Sequence, residues 1–171
     1  EKIFDELLEN IKISNCDYFE DVCHAILTRI PAKIEAENYG FDGFNRSYFV
    51  LDTLKKSKFY RKNEPVKIIL DSKDKDQFWS EQSIELQKSE WVVYNFESLD
   101  NRKHQLTIRA ANASVPANLV ILVNNKKAQF IVTKKDWYEA TVGNYRLKKG
   151  NNEVKIQVKS NILRLDWIRF N

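Results

Sequence analysis

Two different periods divide the chain. Over roughly its first thirty residues the apolar positions recur at helical spacing. Ile3, Phe4, Leu7, Leu8 and Ile11 follow the i, i+3/i+4, i+7 pattern of one helix face. Asp17 with Glu20 three residues on has the form of a capping box, in which each side chain can satisfy a free backbone N–H. Phe19, Val22, Cys23, Ile26, Leu27 and Ile30 then make a continuous apolar stripe that Pro31 ends, since proline lacks the donor and clashes with the preceding turn. The spacing predicts two short α-helices. A segment of about 30 residues cannot bury enough surface to fold alone. Residues 1–32 are therefore expected to pack on the following domain, or on one upstream, with Phe19, Val22, Ile26 and Leu27 buried.

After residue 32 the period drops to two. Lys33-Ile34-Glu35-Ala36-Glu37 alternates, as does Gln105-Leu106-Thr107-Ile108-Arg109-Ala110. Val154, Ile156 and Val158 alternate with Lys155, Gln157 and Lys159, apolar on one side and polar on the other. Further strands are predicted near 47–50, 66–70, 82–86, 90–97, 118–124, 128–133 and 162–170. Asn124-Asn125-Lys126-Lys127 and Lys148-Lys149-Gly150-Asn151-Asn152 read as turns. Strands in series with no helical segment between them predict a mainly β fold, an antiparallel β-sandwich preceded by the two helices. With only 4 Gly in the chain, Asn and Asp must fill several turn positions.

Composition narrows the class without naming a chemistry. The 171 residues are 43% hydrophobic and 30% charged, which suits a globular protein and excludes global disorder. No apolar run approaches the ~20 residues that span a bilayer, so no membrane segment is expected. The 28 Lys and Arg against 24 Asp and Glu leave 28 − 24 = +4, far from a nucleic-acid-binding balance. A chain that opens on Glu1 and holds no Met reads as a piece of a longer protein, with any signal peptide upstream. Cys16 and Cys23, if both helical, would lie about 10 Å apart, beyond disulfide reach; with His24 they would make at most half a metal site. There is no Gly-x-Ser-x-Gly elbow, no phosphate-binding glycine loop and no His-Glu-x-x-His helix. His104 reads as an exposed strand residue, and Trp91 and Trp167 as core residues of their strands. The chain reads as non-catalytic.

The most informative residues lie at the two ends of the β region. Ile34-Glu35-Ala36-Glu37-Asn38-Tyr39-Gly40 opens it and Leu165-Asp166-Trp167-Ile168-Arg169-Phe170 closes it. Between them come, in order, Ser47-Tyr48-Phe49, Phe59–Ile68, Ser89-Glu90-Trp91-Val92-Val93-Tyr94, Leu106–Ala111 and Leu147–Asn152. This ordered set resembles the family 6 carbohydrate-binding modules, β-jelly rolls attached to glycoside hydrolases, over residues 33–171. The resemblance implies a module that targets a parent hydrolase to a polysaccharide, with a catalytic domain upstream and a secreted, cell-surface or periplasmic location. It also implies a structural calcium held by acids of the opening strand and the Asp of the closing motif, positions that Glu35, Glu37 and Asp166 match. The residues agree with that: on a strand, Glu35 and Glu37 share a face about 7 Å apart, and a hard cation such as Ca²⁺ suits paired carboxylates. Without the ion they would read as a solvated acidic edge.

The sugar site departs from the family pattern. Modules of this family clamp a sugar between two aromatic side chains and use an Asn shortly before the closing Asp-Trp. Trp137, after Thr133-Lys134-Lys135-Asp136, matches one aromatic; Glu85 stands where the other belongs, and Arg164 where the Asn belongs, with Asn161 nearby but out of register. Trp79 reads either as a second binding platform or as a loop anchor. Arg164 offers a planar fork of donors suited to carboxylate or sulfate. Lys134 and Lys135 beside Trp137, and the run Lys55, Lys56, Lys58, Arg61 and Lys62, would suit an anionic polysaccharide, or be plain solvated charge. The alternative to sugar binding is a degenerate module serving as a structural or domain-docking unit.

Overall fold

The structure, a computed structural model, describes residues 28–57, 60–70 and 82–171. The two helices predicted over 1–31 lie almost entirely outside the described residues, as does Trp79. Where the second helix was to end, Arg29–Ile30 instead form a short strand, β1, and Ile30 is 1% exposed in the core. The apolar run that reads as a helix stripe therefore ends in the sandwich.

Strand β2 is Ala32–Glu35, β3 Tyr48–Phe49, β4 Lys67–Leu70, β5 Gln82–Leu86 and β6 Trp91–Ser98. β7 is Lys103–Asn112, β8 Ala117–Val123, β9 Lys126–Val132, β10 Tyr138–Arg146, β11 Gly150–Ser160 and β12 Leu163–Phe170. They form two six-stranded sheets. The first runs β1-β6-β11-β8-β9, with β3 also on β6; the second runs β10-β7-β12-β5-β4, with β2 also on β12. All pairings are antiparallel except β1 with β6. No helix among the described residues is long and apolar enough to cross a membrane.

Period-2 patterning builds the core. Tyr94 and Phe96 of β6, Val154, Ile156 and Val158 of β11, Leu106 and Ile108 of β7, and Ile84 and Leu86 of β5 point inward and are nearly inaccessible. The Phe96 and Phe170 rings meet across the sheets with centroids 4.5 Å apart. On β12 the register shifts between Leu165 and Trp167, a bulge that puts Leu163, Leu165, Ile168 and Phe170 all in the core. As the composition required, asparagine takes left-handed turn positions: Asn45, Asn124 and Asn161 have φ of 62°, 52° and 63°.

Two residues are placed differently from the sequence reading, and one is buried as expected but on the outer side of its sheet. His104 is buried at 8% exposure rather than exposed, because it shares the inward side of β7 with Leu106; its Nε2 lies 3.0 Å from Asp100 Oδ1. Trp91 is not among the buried core residues, whereas Trp167 is buried at 7% exposure, as expected. Trp167 is covered on the outer face of the second sheet, between Glu35 and Arg109 on the neighbouring strands and under the Arg169 guanidinium. Trp91 is half-buried on the outer face of the first sheet.

Candidate functional site

The outer face of the second sheet gathers most of the residues singled out above. Arg164 on β12 is in direct register with Glu85 on β5 and with Ala111 on β7. Glu85 is in turn opposite Lys67 on β4. Trp137 immediately precedes β10, whose first residue, Tyr138, is the partner of Ala110, next to Ala111 on β7. Neighbours of these residues along their strands, Ile84, Leu86, Leu163, Leu165 and Ala110, are core, so alternation turns the row itself outward. Trp137 is half-buried, and the Arg109 guanidinium lies 5.5 Å from its ring centroid. Lys134 and Lys135 are exposed just before it.

Charge in this row is unevenly shared. The Glu85 carboxylate is 2.5 Å from Lys67 Nζ and 3.6 Å from Arg164 Nε. Arg164, which stands where the resemblance puts an Asn, thus forms an ion pair with Glu85, but one too long for a hydrogen bond.

Beside this row lie the three acids. β2 pairs with β12, Glu35 opposite Trp167, and the Ala36 amide donates to the Asp166 carbonyl at 2.8 Å. The opening and closing motifs are therefore adjacent, as a shared site demands. The Lys33 ammonium sits 2.5 Å from Glu35 Oε1, and Arg109 pairs with Asp166. Glu37 is 7% exposed, and its Oε2 is buried with no hydrogen-bond partner among the described residues. Burial first, then the charges of Glu35 and Asp166, push its pKa up to about 8. Three carboxylates around an orphaned buried oxygen fit a hard cation in donor type. Two of them are turned toward Lys33 and Arg109, and among the described residues no three acid, His or Cys side chains converge as a finished metal site.

A second surface escaped the sequence reading. Phe49 and Trp91 are register partners on β3 and β6, with near-parallel rings 6.4 Å apart. Phe44 lies 5.5 Å from Phe49, and Lys155 Nζ lies 3.4 Å from the Trp91 centroid. Burial there lowers the Lys155 pKa. The signal was present but ambiguous: Trp91 and Val93 are as apolar as Val92 and Tyr94, so alternation could not say which side faced in.

The remaining candidates lie elsewhere. Asn161 is an exposed turn residue whose amide donates to the Pro116 carbonyl at 2.6 Å. Two members of the basic run are engaged within the chain. Lys55 pairs with Asp52, and Arg61 turns inward to bond the Tyr39 and Gly40 carbonyls and Glu64. Both carbonyls are unavoidable polar groups of the 38–41 loop, and a guanidinium fork reaches the two together.

No protein-family model matches the chain, and no curated protein matches it by sequence. Solved structures do match. Carbohydrate-binding module CBM36 in complex with calcium and xylotriose is similar at TM-score 0.52 and 19% identity, over 82% of this chain and 99% of that one. The C-terminal CBM6 of a marine laminarinase from Zobellia galactanivorans is similar at TM-score 0.55 and 15% identity, over 82% and 98%. The Podospora anserina GH26-CBM35 β-(1,4)-mannanase is similar at 0.53 and 16%, over 82% of this chain but 27% of that one; the chain spans about a quarter of that enzyme's length. In fold, this chain is a β-sandwich of the kind found in carbohydrate-binding modules such as CBM6 and CBM36.

Proposed function

We propose that this chain is a non-catalytic carbohydrate-binding module of a secreted glycoside hydrolase, with residues 33–171 as the module and 1–32 as its connection to an upstream catalytic domain. The observation that carries this reading is Trp137, partly exposed at the start of β10 amid charged side chains, in a fold shared with carbohydrate-binding modules over nearly their whole length. An indole open on one face stacks on the C–H face of a pyranose, and nearby polar groups bind its hydroxyls. Glu35, Glu37 and Asp166 would hold a structural calcium, whose charge would offset the repulsion among them and tie the opening strand to the closing one.

A glycan array on the full chain, followed by calorimetry on the hits, tests this. Binding to at least one oligosaccharide class, lost in Trp137→Ala, is the expected result. Binding kept in Trp137→Ala and lost in Trp91→Ala would move the site to the Phe49–Trp91 surface. The Glu85–Arg164 ion pair favours a second reading, a module that no longer binds sugar and serves as a docking unit; silence across the array would support it.

A further inference from the structure

The row Lys67–Glu85–Arg164 holds two cations and one carboxylate. Glu85 stands between the other two in register. Lys67 takes the carboxylate at 2.5 Å, while Arg164 Nε remains at 3.6 Å. That Nε is buried and has no hydrogen-bond partner among the described residues. The Arg164 side chain is nevertheless 39% exposed, against 8% for Glu85. A ligand approaching this face therefore meets the guanidinium and not the acid. Beyond Arg164 its register partner on β7 is Ala111, itself only 1% exposed, and Trp137 stands next to Tyr138, the partner of Ala110. Lys134 and Lys135, exposed just before the indole, add positive charge, Asp136 opposes it, and Arg109 beside the ring is already paired with Asp166.

We propose that this face binds an acidic oligosaccharide, the carboxylate of a uronic acid residue engaged by the Arg164 fork while a sugar ring lies on Trp137. The proposal rests on the carbohydrate-binding reading above and specifies its ligand class. A carboxylate accepts two parallel bonds from a guanidinium, which a neutral hydroxyl cannot do. Glu85 lies beside Arg164 at 3.6 Å without a hydrogen bond, and it is the exposed part of the side chain, not the buried Nε, that an incoming carboxylate would meet.

Calorimetry on the full chain decides, with three ligands of one backbone: an oligouronide, the same oligosaccharide with its carboxyls reduced to alcohols, and a sulfated neutral counterpart. The oligouronide is expected to bind at least about tenfold more tightly than its reduced form. Added salt should narrow that gap, because the difference is ionic. Arg164→Gln and Arg164→Lys should both remove the preference, the lysine because it lacks the fork; Glu85→Gln should raise oligouronide affinity. Should either Arg164 variant fail to fold, the reduced-ligand comparison and its salt dependence on the unmodified chain still decide. Equal binding of acidic and reduced ligands overturns the proposal and leaves the carbohydrate-binding reading intact. Tighter binding of the sulfated ligand overturns the uronate assignment. Binding of none of the three, with no other sugar bound on the array, overturns both.

Discussion

Arg164 and Glu85 face each other directly on β12 and β5, and their charged groups are 3.6 Å apart. Lys67, on the far side of Glu85, holds the same carboxylate more closely. Removing the acid takes away the carboxylate on β5 that lies between the Lys67 and Arg164 cations of β4 and β12. Glu85→Gln is therefore expected to destabilise the sandwich by about 1–2 kcal/mol, while a double-mutant cycle on Glu85 and Arg164 alone should give a coupling of roughly 1 kcal/mol or less. Urea unfolding midpoints of the single and double variants measure both. A coupling of several kcal/mol would mean that the pair is locked and no ligand displaces it.

Calcium should stabilise the fold through the three acids. The thermal midpoint of chelator-treated protein is expected to rise by several degrees on adding Ca²⁺, and the rise should vanish in Glu37→Gln and Asp166→Asn. A stabilisation of about 2.7 kcal/mol follows when the ion is at 100 times its dissociation constant. Differential scanning calorimetry with and without Ca²⁺ makes the comparison, and an unchanged midpoint would remove calcium from the account.

Without metal, Glu37 makes stability depend on pH in an unusual direction. Its carboxyl holds a proton in the folded chain up to about pH 8, whereas in the unfolded chain it loses it near the usual value of 4.5. Between those values the folded state binds more protons, so stability falls as pH rises. The full penalty is of order 3–5 kcal/mol by the conversion of about 1.4 kcal/mol per pH unit. Chemical denaturation in chelator at about pH 5 and about pH 8 should show the fall, and Glu37→Gln should flatten it.

The 38–41 loop beside the acid cluster depends on Arg61. Its side chain is 4% exposed, bonds the Tyr39 and Gly40 carbonyls at 2.5 and 2.7 Å, and lies between the Tyr39 and Phe41 rings. Lysine cannot reach both carbonyls and Glu64 together. Arg61→Lys is expected to cost about 2–3 kcal/mol, read as a shift of the urea midpoint. A neutral outcome would mean that the loop holds its shape without the fork.

A hydroxyl on the opposite side of the same segment makes a smaller test. The fully buried Tyr94 donates to the Ala36 carbonyl at 2.9 Å, between the strand that carries Glu35 and the turn that carries Glu37. Tyr94→Phe leaves that carbonyl without its donor and should cost about 1–2 kcal/mol. Hydrogen exchange at residues 35–38 would show whether the loss is local.

The alternation of apolar and polar residues was sufficient to place ten of the strands, because a strand with one wet face needs a period of two. It was insufficient for β10. Ala140 and Val142 there are only half-buried, and a register shift between Thr141 and Gly143 breaks the period. β1 was hidden too, because Ile30 continues an apolar run with helical spacing. Trp91 was misassigned because β6 is apolar on both sides, and alternation tells which residues share a face without telling which face is inside.

The family resemblance grouped Glu35 and Glu37 with Asp166, and β2 pairs with β12, so the opening and closing motifs that carry them are adjacent. The relation of Arg164 to Glu85 and Trp137 is of another kind. These residues come from three separate stretches of sequence, and only the register of β5, β7, β10 and β12 sets them side by side. What the amino-acid sequence determined by itself was local: which segments extend, which side chains share a side, where turns fall. Which side is buried, which cation a carboxylate meets, and whether an indole stays open to a ligand were decided by tertiary structure, because burial and charge pairing depend on distances that strand register creates across the sheet.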